Sequence, residues 1–221
     1  MLSDGTSLYS LCGLFRKVAF TAFGIACLAF PLEARSQNQA SSDDMSMGNA
    51  KARVVITEYA SPTCPSCADW RERVFPGVRR EFIETGRVLF VLKETPSHNK
   101  AVDAAIFAIA RCAGHGKYFD VIDAAFRQRE QLDAASRGKN GPRQAIIAFA
   151  AEFALTGSRL DACLDDPETA KRLAALREEA IRQGVTGTPT LFINDVLIGD
   201  RDALDPQRML DVVRAALATA R

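Results

Sequence analysis

Apolar and polar positions along this chain follow two periods, and the change from one to the other divides it. From Arg53 to Ala60 the run Arg-Val-Val-Ile-Thr-Glu-Tyr-Ala is β-branched and aromatic, which suits a buried strand. Ser61-Pro62-Thr63 breaks it, and Pro65 stands where a first-turn proline costs a helix nothing, because its missing N–H would lack a helical partner anyway. The pattern then predicts a helix through Trp70, Val74 and Phe75 to Phe82, kinked at Pro76 and closed by Gly86. Arg87 to Lys93 reads as a second strand, so the opening unit is β-α-β with parallel strands.

A helical period takes over from His98 to about Gly184. Ala101, Val102, Ala105, Ile106, Ile109 and Cys112 share one face; helices follow over Tyr118 to Phe126 and Pro142 to Leu155, then a short one capped by Ser158 with Asp161 three residues on. Another starts at Pro167 and runs through Leu173, Leu176 and Ile181 to a stop at Gly184. The polar stretch from Arg127 to Gly141 is expected to be the least ordered internal loop. Strands return at Thr190–Ile193 and Val196–Ile198, joined by Asn194-Asp195, whose side chains tolerate the positive φ of a tight hairpin. Asp205-Pro206 opens a last helix carrying Met209, Leu210, Val213 and Leu217. The phenylalanines at 82, 90, 107, 119, 126, 149, 153 and 192 fit these apolar faces and need no cofactor to explain them.

The amino terminus belongs to neither pattern. Arg16 and Lys17 precede an apolar stretch from Val18 to Phe30 that ends at Pro31 and the small residue Ala34, the layout of a signal peptide over 1–34. The stretch is shorter than the roughly 20 residues a membrane-spanning helix needs. Cys27 lacks the leucine-like residue that a lipidation signal carries three positions earlier. Residues 35–52, rich in Ser, Asn, Gln, Asp and Met, read as a flexible lead-in. In all, 221 residues with 48% apolar content suffice for one packed domain, and 28 basic against 27 acidic residues give no polybasic or polyacidic block that would suit a nucleic acid.

Removing the leader takes Cys12 and Cys27 with it and leaves Cys64, Cys67, Cys112 and Cys163, an even set that in an exported protein suggests two pairs. Cys64-Pro65-Ser66-Cys67 falls at a strand-to-helix junction, where the first sulfur meets unpaired backbone N–H groups and the positive end of the helix dipole. That favours thiolate over thiol, so Cys64 is expected to titrate below about 8.5 and to act as nucleophile. Cys67, one turn into the helix, is expected to be buried and to resolve a mixed disulfide between Cys64 and a client. Half a zinc site looks the same, but only His98, His115, Cys112 and Cys163 could complete it, and none is paired at short spacing. Cys112 and Cys163 lie in the helical stretch; a structural disulfide there would close a loop worth about 4 kcal/mol in the chain-entropy model, and two inert buried thiols are the alternative. Trp70 is expected in the core beneath the helix of the cysteines.

Gly187-Thr188-Pro189-Thr190, just before the hairpin, gives the dithiol its context. With Glu58 to Cys67 and Gly184 to Asn194, it makes the sequence from Arg53 onward resemble the thioredoxin superfamily, in its DsbA-like branch. The resemblance implies an α/β thioredoxin-like fold, β-α-β … β-β-α, with an inserted α-helical subdomain: core residues 53–97, insertion 98–175, core residues 176–221. It implies a cis Pro189 facing a redox-active Cys64–Cys67 disulfide, with the backbone of Thr188 free to pair with an extended client. Glu58 occupies the position of a buried acid that could relay the proton of Cys67; a surface glutamate paired with Lys or Arg is the other reading. The chain departs from the enteric pattern by Pro-Ser, not Pro-His, between the cysteines and by Thr, not Val, before Pro189, which implies a milder oxidant than one at about −120 mV.

The expected activity is therefore that of an exported, periplasmic thiol-disulfide oxidoreductase, monomeric and without cofactor or metal. Its partners would be reduced exported proteins and a membrane protein that recycles the disulfide. A reductase or isomerase of the same superfamily, and a peptide-binding chaperone module that uses the cysteines only as a staple, are the competing classes.

Overall fold

The computed structural model describes residues 43–139 and 141–220. The signal peptide expected over 1–34, and Cys12 and Cys27 with it, lies outside the described residues, as does the first part of the lead-in. A five-stranded sheet in the order β1-β3-β2-β4-β5 organises the rest. Its centre is β2 (Val54–Ala60), parallel to β3 (Val88–Glu94) and antiparallel to β4 (Thr190–Ile193). Every side chain of β3 is buried, and all but Val55 of β2, which is why both read as continuous apolar runs. The crossover between them is α1 (Pro65–Arg73), α2 (Phe75–Val78) and a π-helical turn, Arg79–Ile83, so the chain bends near Pro76 as its sequence requires. At the far edge β5 (Val196–Ile198) folds back on β4 through Asn194, whose φ is +52°.

The helical layer comprises α3 (Lys100–Cys112), α4 (His115–Arg127), α5 (Arg129–Ser136), α6 (Gly141–Ala151), α7 (Gly157–Leu164) and α8 (Pro167–Arg182). It gives this chain the thioredoxin-like fold with a helical insertion. Asp166 caps α8, with Pro167 in its first turn, and Gly184 at φ +71° ends it. The carboxy-terminal part adds α9 (Asp200–Ala203) and α10 (Pro206–Thr219), the latter capped by Asp205, which accepts from the Arg208 N–H.

The structure corrects the sequence reading in several places. The lead-in expected to be flexible over 35–52 contains β1 (Met45–Gly48), which pairs antiparallel with β3 and buries Met45. Two methionines in alternation sufficed, because the free edge of β3 supplies the hydrogen bonds. The expected loop over Arg127–Gly141 holds α5, with Leu132 buried against the helical core. α7 starts after Thr156 without a side-chain cap, so Ser158 is inside the helix and not its cap. α8 crosses the boundary drawn at 175 without a break, and Ile181, assigned to its apolar face, is 65% exposed.

Candidate functional site

The site forms where β2 gives way to α1. Cys64 is the N-cap of α1 with extended backbone (φ −75°, ψ 124°), and Pro65 fixes the first turn. The Cys67 N–H donates to Cys64 Sγ at 3.4 Å, and the Cys64 thiol donates to the Thr188 carbonyl at 3.2 Å. Thr188–Pro189 is a cis peptide bond, and both residues are half-buried. The structure therefore brings Cys64, Cys67, Thr188 and Pro189 into one cluster. The two cysteines are unbonded to each other.

Their environments separate the two thiols. Cys64 is drawn down from 9.0 to about 5, chiefly because its thiolate accepts from the Cys67 thiol. Burial works against this, and the Thr188 side chain and the N–H groups of Cys67 and Ser66 support it. Cys67, fully buried, is pushed well above 9.0, by desolvation first and then by its bond to Cys64 and the charge of Glu58. One sulfur is thus a thiolate near neutral pH and the other holds its proton.

Glu58 lies in β2 with no exposed surface, and neither carboxyl oxygen has a hydrogen-bond partner. Desolvation raises it from 4.5 to about 7; the Arg71 guanidinium opposes that, and Asp123 and Cys64 add to it. A surface glutamate paired with Lys or Arg does not describe it. Trp70 is fully buried under the site, its indole N–H donating to the Ala203 carbonyl at 3.0 Å and its ring against Phe75 and Phe90. Cys112 and Cys163 are joined by a disulfide with a Cα–Cα distance of 6.0 Å that ties α3 to α7. Among the described residues no group of three or more His, Cys, Asp and Glu side chains is arranged to hold a metal.

Sequence reasoning missed Asp103. It projects from α3, fully buried, and its two oxygens accept from the Ser61 hydroxyl at 2.7 Å, the Thr63 N–H at 2.9 Å, the Thr63 hydroxyl at 2.8 Å and the Ser97 N–H at 3.1 Å. Ser97 in turn shares a 2.8 Å hydrogen bond with the Thr188 hydroxyl. One carboxylate therefore holds the loop that delivers Cys64 and, through Ser97, the bend before β4 that carries Thr188. The available signal was an acid beside Val102 and one turn before Ile106 and Phe107, on the face that packs inward.

A family model described as Thioredoxin matches residues 40–213. Proteins named for protein-disulfide oxidoreductase activity in Rickettsia conorii and Rickettsia prowazekii are 30% and 31% identical, over 72% and 70% of this chain. The chain covers 56% and 55% of the length of those two relatives, so it spans little more than half of each. The crystal structure of Wolbachia pipientis α-DsbA1 superposes with a TM-score of 0.73 at 21% identity, covering 84% of this chain and 97% of that one, a likeness of fold.

Proposed function

The chain belongs to the thioredoxin family, and from that premise we propose that it is an exported thiol-disulfide oxidoreductase that oxidises client thiols through Cys64 and Cys67. The observation that carries this reading is the unequal placement of the two sulfurs, Cys64 at the N-cap of α1 accepting from the Cys67 N–H and lying beside Thr188 and its cis bond, Cys67 with no exposed surface. That placement favours a thiolate at the first and a proton on the second. In the oxidised protein a client thiolate attacks Cys64 Sγ. The Cys64–Cys67 bond breaks, its electron pair leaves on Cys67 Sγ, and Cys67 takes up a proton. A second client thiolate then attacks the client sulfur of the mixed disulfide and releases Cys64 as a thiolate. The client has lost two electrons and the protein has gained them; a recycling partner, proposed to be a membrane protein, removes them again.

Direction follows from leaving-group chemistry. A thiolate stabilised well below the ordinary cysteine range leaves readily, which favours the reduced protein and makes its disulfide a donor. Glu58 is positioned to serve the other sulfur, since a carboxyl titrating near 7 behind Cys67 can give a proton to it as the disulfide opens. Thr188, beside the cis bond, offers its carbonyl to an extended client backbone once Cys64 is engaged. Cys112–Cys163 is assigned a structural part, and the periplasmic setting and monomeric state complete the proposal. Equilibration with glutathione tests it. The couple is expected between about −120 and −270 mV; a value at or below −270 mV would reassign the protein as a reductase.

A further inference from the structure

Unsatisfied polar atoms are concentrated behind the dithiol. Of the eight buried side-chain nitrogen and oxygen atoms without a hydrogen-bond partner among the described residues, six belong to Glu58, Arg71 and Asp123. Arg71 sits on α1 one turn beyond Cys67 and is 7% exposed. Its guanidinium lies 4.0 Å over the Phe75 ring and 5.2 Å from that of Phe90, and its Nε is 3.3 Å from Asp123 on α4. In the parallel ladder Phe90 is level with Ile56 and Leu92 with Glu58, so the guanidinium covers the sheet face to which Glu58 points. A cavity of about 630 Å³ lies beside the pair, with Arg71, Phe75, Asp123 and Phe126 in its lining.

These three groups make no directed hydrogen bond to one another, so charge is what couples them, and burial screens that charge less than water would. We infer that Arg71 and Asp123 are positioning residues for the exchange reaction, their opposed charges acting through Glu58 to set the pH at which it hands a proton to Cys67. The proposal rests on the oxidoreductase reading above. The step moves one proton from the Glu58 carboxyl to Cys67 Sγ as the Cys64–Cys67 bond opens and leaves Glu58 as carboxylate. The charged and titratable groups facing Glu58 are Cys64, Cys67 and Arg71 from α1 and Asp123 from α4; its neighbours on β3 and β4, Leu92 and Leu191, carry no charge.

Two substitutions of opposite sign test this. Arg71→Met keeps the bulk and suits the aromatic cage while removing the cation; Asp123→Asn removes the anion at a partly exposed position. The Glu58 carboxyl carbon is followed by NMR against pH in ¹³C-labelled protein, with its signal assigned from Glu58→Gln, and the pH profile of exchange with glutathione is recorded alongside. Arg71→Met is expected to raise both midpoints by about one pH unit and Asp123→Asn to lower them, with Arg71→Lys close to wild type. Mere loosening of the structure would admit water and move both variants the same way. Midpoints that move together, or not at all, in an active protein overturn this proposal and leave the oxidoreductase reading standing. A wild-type protein inert toward glutathione overturns both.

Discussion

Replacing Asp103 by Asn swaps one carboxylate oxygen for an amide NH₂ at constant volume. Oδ1 accepts from the N–H and hydroxyl of Thr63, and Oδ2 accepts from the Ser61 hydroxyl and the Ser97 N–H. An amide keeps only one of these acceptors, whichever way it turns. The hydroxyl facing the new NH₂ can rotate and accept, but the backbone N–H of Thr63 or of Ser97 cannot, and it is left without a partner. An orphaned buried donor costs about 1–3 kcal/mol. Burial already raises the Asp103 carboxyl above its ordinary range, so the protein recovers part of that cost by losing the charge. The net expectation is a loss of about 2 kcal/mol, or roughly 4–8 °C in Tm for a domain of this size. Urea unfolding followed by the fluorescence of Trp70, the sole tryptophan, measures it. Asp103→Ala, which strands all four donors, should cost more. The loosened loop should also raise the Cys64 titration midpoint, read from thiolate absorbance. An Asn variant within about 0.5 kcal/mol of wild type and with the Cys64 midpoint unmoved would refute the idea that this carboxylate holds the site together.

Further outcomes concern the sulfurs and Glu58. Replacing both Cys112 and Cys163 by Ala, which opens a bridge between residues separated by 51 positions, should cost about 4 kcal/mol in urea unfolding; a loss under about 1 kcal/mol would contradict a stabilising bridge. Cys67→Ala, which leaves no donor at that position, should raise the Cys64 thiolate midpoint above about 5, because the Cys67 thiol supplies the largest of its stabilising hydrogen bonds. Since the folded state depresses Cys64, its ionisation should stabilise the reduced protein as pH rises from about 5 to 9, a gain that Glu58 offsets below about 7 and that shows as a net rise between 7 and 9, and oxidation should abolish it. Glu58 has the opposite sign. In the dithiol its folded value is raised from 4.5 to about 7, so Glu58 should take about 3 kcal/mol from the reduced protein between those limits, and Glu58→Gln should abolish that loss.

Much of this arrangement was legible from residue order. The strands at 54–60, 88–94 and 190–193 are buried on nearly every position, and uniform burial leaves an apolar run that cannot be overlooked. Pro65, Asp166 with Pro167, and Asp205 with Pro206 mark helix starts by local chemistry alone. By contrast β1 and α5 are stabilised by what they pack on, not by their own sequence: β1 borrows the edge of β3, and α5 contributes little beyond Leu132 to the buried core. Asp103 and Arg71 escaped for a related reason. An acid on an apolar face or an arginine one turn past a cysteine acquires a meaning only when the fold brings Ser61, Thr63 and Ser97 to the one and Glu58 and Asp123 to the other.

The division of labour between the two sulfurs is tested most directly by mass spectrometry of variants that keep one cysteine of the Cys64–Cys67 pair, exposed to glutathione disulfide at pH 6. Cys67→Ser protein is expected to accumulate one glutathione adduct, mapped to residue 64, while Cys64→Ser protein under the same conditions stays unmodified. Equal labelling of both variants, or an adduct formed only at residue 67, would contradict the account.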